Sequence, residues 1–202
     1  MKTLCVTGES ARSRNRFDAL LLGLSQDSPD YFEVRDRSAS DRTLLGLLAA
    51  AKKALPRSLV LANDRFDLAL AAGADGVILP ESGLPVEPVR RETPRGFLVG
   101  KSTHSIPAAL RAAKDGADLV LLGPIFDTPS KRSFGAPLSP GALSGLPERG
   151  PEGAELFLIG GIDESTLPAL LSYRSRFTGI AAIRLFEESM EPGEVVRSLR
   201  TT

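Results

Sequence analysis

The chain has 202 residues, 42% of them hydrophobic and 25% charged, which suits one soluble domain large enough to bury a core. Its 25 basic and 25 acidic side chains cancel, so no global field draws it to nucleic acid or to a membrane surface, although a local anion site is compatible with that balance. One cysteine excludes an intrachain disulfide and a cluster of thiolate ligands, and one histidine excludes a metal centre built from several imidazoles.

The N-terminal MKTLCVTGES carries a lysine but too short an apolar run for a signal peptide. No stretch approaches the roughly 20 apolar residues of a membrane helix, and the protein reads as cytoplasmic. Cys5 lies in an apolar run and reads as a small buried hydrophobe.

Short runs rich in Val, Ile, Leu and Phe then recur at Leu4–Thr7, Tyr31–Arg35, Leu59–Ala62, Gly76–Leu79, Phe97–Gly100, Leu119–Gly123, Leu156–Ile159 and Ile180–Ile183. They are continuous rather than alternating, as in parallel strands covered on both faces. Helical spacing marks Arg16–Leu24, Asp41–Ala54 with Ser40 as its N-cap, Pro107–Lys114 and Ser165–Leu171. The helices after the fourth and sixth strands are short and poorly delimited. The segment Ala71–Leu79 echoes Ala113–Leu122: in each a helix ends, glycine turns the chain and a strand follows. Serial βα units with right-handed crossovers and eight strands predict a single-domain (β/α)8 TIM barrel over residues 1–202. Pro129–Gly153, rich in proline and glycine, reads either as a surface loop holding a short helix or as a mobile loop over the site.

In a barrel, residues just after each strand converge on one mouth. There the sequence gathers Arg35, Asp36 and Arg37, then Asn63 and Asp64, then Lys101, Ser102 and His104, then Thr128, Ser130 and Lys131, and Gly160 with Gly161. The run Ile159–Ile162, followed by Asp-Glu-Ser-Thr, lets backbone approach an anion, and its partner in a phosphate cup is Ile183 with Arg184. His104 is the one side chain that titrates near neutrality unaided, which makes it a candidate general acid or base, against a solvent-facing loop histidine. Arg35 and Arg37 project to opposite sides if their strand runs that far. Lys131 offers positive charge to an anion. Asp64 alone is a thin site for Mg2+.

These blocks resemble the thiamine phosphate synthase / TenI family along almost the whole chain. The resemblance rests on Gly100–Ser105 (GKSTHS), on Gly116–Lys131 (GADLVLLGPIFDTPSK), on Leu61–Ala69 (LANDRFDLA) and on Ile159–Ile162 (IGGI). It implies one of two activities. The synthase branch joins a thiazole phosphate to hydroxymethylpyrimidine diphosphate with Mg2+ and releases pyrophosphate. The TenI branch isomerises a thiazole carboxylate phosphate by moving protons and needs no cofactor. Carried over by position, Arg35 and Asn63 match substrate contacts, Arg37 stands for a lysine and Glu33 for a neutral amide. Ser102, Thr128, Ser130 and Lys131 match substrate contacts in both branches, and His104 matches the TenI proton-transfer histidine, which many synthases share. Asp64 matches one Mg2+ ligand. The second metal aspartate falls on Gly83, with Glu81 nearby but shifted, and Arg184 replaces a small serine. Three readings stay open: a TenI-like isomerase, to which Gly83 points; a synthase with a rearranged metal site; and a thiazole or thiamine phosphate-binding regulatory barrel without turnover. The implied partner is a phosphorylated thiazole, with no nucleic acid or membrane partner, and a homo-oligomer is left open.

Overall fold

The continuous apolar runs become parallel strands in the computed structural model, which describes residues 1–127 and 136–202. They are β1 (Lys2–Val6), β2 (Tyr31–Val34), β3 (Leu59–Asn63), β4 (Gly76–Leu79), β5 (Leu98–Thr103), β6 (Leu119–Leu122), β7 (Glu155–Ile159) and β8 (Gly179–Ala182). They pair in chain order, and β8 closes on β1 with Lys2 opposite Gly179 and Cys5 opposite Ala182. The single-domain TIM barrel expected from the sequence is the fold observed.

The helices are α1 (Arg14–Leu24), α2 (Asp41–Ala54), α3 (Phe66–Ala71), α4 (Val86–Glu92), α5 (Ile106–Lys114), α6 (Pro168–Leu171), α7 (Arg184–Glu187) and α8 (Pro192–Thr201). None among the described residues is long and apolar enough to cross a membrane. Side chains alternate between two cores, because successive strand residues face opposite ways. Leu4, Val6, Tyr31, Leu61, Ile78 and Phe157 fill the barrel. Cys5, Phe32, Val60, Val77 and Val99 face outward and pack under the helices, with Cys5 fully buried. Ser40 caps α2 by accepting from Thr43 N at 3.2 Å, as expected.

The echo between Ala71–Leu79 and Ala113–Leu122 has a structural cause at the floor of the barrel. Asp75 Oδ2 accepts from Val60 N at 2.7 Å, and Asp118 Oδ2 accepts from Val99 N at 2.7 Å. Each aspartate, placed just before its own strand, satisfies a backbone donor at the start of the preceding one. Asp30 does the same for Thr3 N at 2.8 Å, and the Thr178 hydroxyl for Leu156 N at 3.0 Å. Those amides lie where a parallel ladder begins and need an acceptor. This face of a barrel serves stability, and the opposite face carries chemistry.

Several boundaries differ from the sequence reading. β1 starts two residues earlier than expected and stops at Val6, and β8 spans Gly179–Ala182. β5 runs on through Lys101, Ser102 and Thr103, so these residues are strand rather than loop. β2 stops at Val34, before both arginines, and residues two apart on a strand share a face, so the expected projection of Arg35 and Arg37 to opposite sides does not hold. The helix expected over Ser165–Leu171 shrinks to Pro168–Leu171, because Asp163 Oδ1 accepts from the amides of Ser165 and Thr166 and turns the chain first. The described part of Pro129–Gly153 contains a 3₁₀ turn at Pro140–Gly145 that seats Leu143 in the outer core.

Candidate functional site

The strand exits carry four groups of polar residues, which follow one another around the mouth. The first joins β1, β2 and β3. Thr7, fully buried, donates its hydroxyl to Arg35 O at 3.2 Å and accepts from Arg35 N at 2.7 Å. Glu33 is 2% exposed, and its Oε1 accepts from Asn63 Nδ2 at 2.9 Å. The Arg35 guanidinium is half-buried; burial lowers its pKa and the Glu33 carboxylate pulls it back up. Arg37 is exposed, beyond this network.

The second group joins the exits of β3, β4 and β5. Asp64 is held at φ +65°, a conformation that Asn and Asp tolerate better than most residues, with its N–H donating to Ile78 O at 2.9 Å. A Cβ at position 83 would lie 3.2 Å from Asp64 Oδ1 and 2.9 Å from Pro80 Cδ, so a side chain there would crowd the Asp64 carboxylate. Lys101 reaches the same loop from β5, donating Nζ to Leu84 O at 2.9 Å and to Gly83 O at 3.4 Å. Burial lowers the Lys101 pKa, while Glu81 and Asp64 raise it. Lys101 and Glu81 also line a groove of about 490 Å³ that runs outward between the β4 exit and α5.

The third group centres on His104. Glu81 Oε1 accepts from His104 N at 3.1 Å, and Glu81 Oε2 lies 4.0 Å from His104 Nε2. His104 Nδ1 bonds to the Gly123 carbonyl. A carbonyl only accepts, so Nδ1 carries the proton and the neutral ring presents its lone pair at Nε2. Ser102 lies one pleat back on β5, opposite Leu121 of the barrel interior, and therefore faces inward.

The fourth group is the exit of β7. Gly160 and Gly161 hold φ at +98° and +69°. A Cβ on Gly160 would meet Pro124 Cα at 2.7 Å, and one on Gly161 would meet Phe126 Cβ at 2.7 Å and Asp127 O at 2.9 Å. Glycine is thus required by the packing of this loop against the β6 exit, whatever binds there. Ile183 packs its side chain against the barrel interior and Arg184, exposed, opens α7. Glu187 on α7 reaches back, its Oε1 accepting from Gly8 N at 2.6 Å, Ser10 N at 3.2 Å and the Ser10 hydroxyl. This clasp fixes the β1 exit against the β8 exit.

The structure therefore gathers Arg35, Asn63, Asp64, Ser102, His104, Gly160, Gly161, Ile183 and Arg184 around one end of the barrel. Thr128, Ser130 and Lys131 lie outside the described residues. The contacts of Glu81 with His104, of Lys101 with the Gly83 loop and of Glu187 with Gly8 join residues 18 or more apart in sequence, and residue spacing alone gave no sign of them.

Mg2+, which the resemblance implies for one branch, would meet a single carboxylate at the Asp64 corner, with substrate phosphates and water left to complete its shell. Magnesium is held by one or two carboxylates with substrate phosphates and water. Position 83 is where a second carboxylate would face the same ion, and glycine supplies none. Among the described residues no group of three or more His, Cys, Asp or Glu is placed to hold a metal.

A family model described as thiamine monophosphate synthase, TMP-TENI, matches residues 3–186. The chain is 36% identical over 198 residues to a thiamine-phosphate synthase of Methanoculleus marisnigri, covering 96% of this chain and 92% of that protein. It is 37% identical over 174 residues to a thiamine-phosphate synthase of Chlorobium luteolum, covering 84% and 79%. The solved structure of thiamine phosphate pyrophosphorylase from Pyrococcus furiosus superposes with a TM-score of 0.81 at 23% identity, covering 99% of this chain and 94% of that one, a likeness of fold.

Proposed function

The chain belongs to the thiamine monophosphate synthase family, and on that premise we propose that it is a TenI-like isomerase that tautomerises a thiazole carboxylate phosphate by proton transfer. The observation that carries the proposal is the seat of His104. Its Nδ1 is committed to the Gly123 carbonyl, so Nε2 is the basic atom, and the Glu81 carboxylate faces it at 4.0 Å. A positioned base of this kind removes a proton from one ring carbon, and the electron pair left behind delocalises through the conjugated ring. The imidazolium then returns a proton to a second carbon, so the product has the formula of the substrate. Glu81 stabilises the imidazolium formed between the two steps.

Other residues bind and orient. The exits of β7 and β8, at Gly160, Gly161, Ile183 and Arg184, take the phosphate, as paired loops at this end of a barrel commonly do. Arg35, Asn63 and Ser102 face the ring and carboxylate from the inner wall, and Thr128, Ser130 and Lys131 complete the assignment made from the sequence. Gly83 in place of a carboxylate favours this branch, because proton transfer needs no dication.

The names of the relatives favour a second reading: condensation of a thiazole phosphate with hydroxymethylpyrimidine diphosphate and release of pyrophosphate. One experiment separates the two. The protein is incubated with thiazole carboxylate phosphate and, separately, with thiazole phosphate, each with and without the pyrimidine diphosphate and Mg2+, and products are identified by mass and ultraviolet spectrum. An isomer of unchanged mass supports the proposal. Thiamine phosphate with pyrophosphate establishes the second reading, and tight binding without turnover establishes a regulatory barrel.

A further inference from the structure

The loop between β4 and α4, residues 80–85, delivers Glu81 to His104, and a lysine outside the mouth holds that loop. We propose that Lys101 is a positioning residue for His104: its ammonium pins the carbonyls of Gly83 and Leu84, and the pinned loop keeps the Glu81 carboxylate on the histidine. Lys101 Nζ donates to Leu84 O at 2.9 Å and to Gly83 O at 3.4 Å. Gly83 N donates to Pro80 O at 2.9 Å, which closes a turn over Glu81 and Ser82. Glu81 Oε1 then accepts from His104 N at 3.1 Å, with Oε2 4.0 Å from Nε2. Lys101 lies in β5 and His104 directly follows it, so the loop is clamped to one strand at two places three residues apart.

Lys101 does this from outside the barrel. Its neighbours across the sheet, Leu79 of β4 and Val120 of β6, both belong to the outer core, so its side chain leaves β5 on the helix side. There it lines the groove beside α5 together with Val86, Ala108 and Ala112, and Glu81 lines the same groove. A lysine suits this place because its apolar stem can follow an apolar wall while its head reaches a polar group. Burial lowers the Lys101 pKa and the Glu81 carboxylate pulls it back up, so the lysine and the carboxylate it places attract each other. Hydrogen bonds from an ammonium are stronger than those between neutral groups. The Glu81 side chain is 40% exposed and has rotamer freedom to lose. Fixing the backbone beneath it limits the directions in which its carboxylate can leave His104. Lys101 therefore acts through Glu81.

The inference deepens the isomerase reading and rests on it for the role of His104, but its first test needs no turnover. Hydrogen exchange at the His104 amide of the full-length chain, without ligand, reports whether the Glu81 carboxylate is in place. Lys101→Met keeps an apolar stem and removes the ammonium; it should speed that exchange about tenfold, the worth of one hydrogen bond. Glu81→Ala should speed it as much, and the double variant no more than either, because both changes remove one contact. Lys101→Arg restores donors and charge and should bring exchange back close to the wild-type rate. In turnover, Lys101→Met should lower kcat about tenfold with KM little changed, again without adding to the loss from Glu81→Ala. If Lys101→Met is unfolded by circular dichroism, Lys101→Gln, uncharged and one atom shorter, takes its place. Wild-type exchange at the His104 amide in the uncharged variant would overturn the proposal. So would losses that add to those of Glu81→Ala. Faster exchange in a protein that isomerises nothing would uphold the clamp and remove only the isomerase reading.

Discussion

His104 Nδ1 bonds to the carbonyl of Gly123, which ties the one imidazole of the chain to the exit of the neighbouring strand. That bond selects one neutral tautomer. Nitrogen NMR of the single histidine should therefore show the Nδ1–H form at alkaline pH, without assignment ambiguity. Replacement by Asn or Ala should lower isomerisation about 100-fold or more, the usual scale for a positioned acid or base. Substrate affinity should change far less, because the proposal assigns the phosphate to other residues, at the exits of β7 and β8. A variant that keeps the full rate would remove His104 from the chemistry.

Gly161 is confined by φ +69° and by Phe126 and Asp127. Gly161→Ala should cost about 1–3 kcal/mol in urea unfolding, because the side chain meets backbone and the conformation disfavours it. Binding of inorganic phosphate to the folded variant, followed by calorimetry, should weaken as well. A variant with lowered stability and unaltered phosphate affinity would confine Gly161 to a packing role.

Asp163 shapes the turn that follows the β7 glycines. Its carboxylate is held below its ordinary pKa of 3.8, first by the Ser165 hydroxyl and then by the Thr166 amide. A depressed folded pKa contributes stability that is present above the unfolded value and is lost as pH falls through the folded one. Asp163→Ala should lower Tm at pH 7 by the equivalent of about 1 kcal/mol or less, as for a capping residue, and the difference should shrink as pH falls below the ordinary value of 3.8. Equal losses at pH 7 and pH 2.5 would contradict this origin.

Glu187 holds Gly8 and Ser10 through one oxygen. Glu187→Ala leaves those partly buried donors without their acceptor and should destabilise the chain by about 2–3 kcal/mol. Hydrogen exchange should speed up selectively at the amides of Gly8 and Ser10. Glu187→Gln, which retains an acceptor, should lose less than the alanine variant. Unchanged exchange in the alanine variant would show that the clasp does not order the β1 exit.

The barrel was legible because strands covered on both faces write themselves as unbroken apolar runs, such as Leu119–Leu122. The end of β5 was hidden for the converse reason: Lys101, Ser102 and Thr103 are polar residues within the strand, and their polarity reads as loop. Ser165 and Thr166 carried helical spacing, but the local hydrogen bonds that their amides donate to Asp163 outweighed it. The mouth residues could be gathered from sequence because the fold places every strand exit at one end. Their pairing could not, since Glu33 with Asn63 and Glu81 with His104 are set by register between strands. Gly160 and Gly161 suggested an anion from sequence, and the structure adds a second cause in the close approach of the β6 exit.

Cys5 is sealed beneath the helices on the strand that closes the barrel, and burial, with Glu187 and Glu33 behind it, raises the pKa of its thiol well above the ordinary value. Thiol reagents attack the thiolate, so the folded chain resists them until the seam between β1 and β8 parts. The rate of Cys5 alkylation is then a clock for opening of the whole barrel. A compound that lodges at the mouth and bridges the β7 and β8 exits should slow that clock in proportion to its occupancy. Candidate phosphorylated ligands can thus be ranked by protection of a single sulfur, with no turnover required.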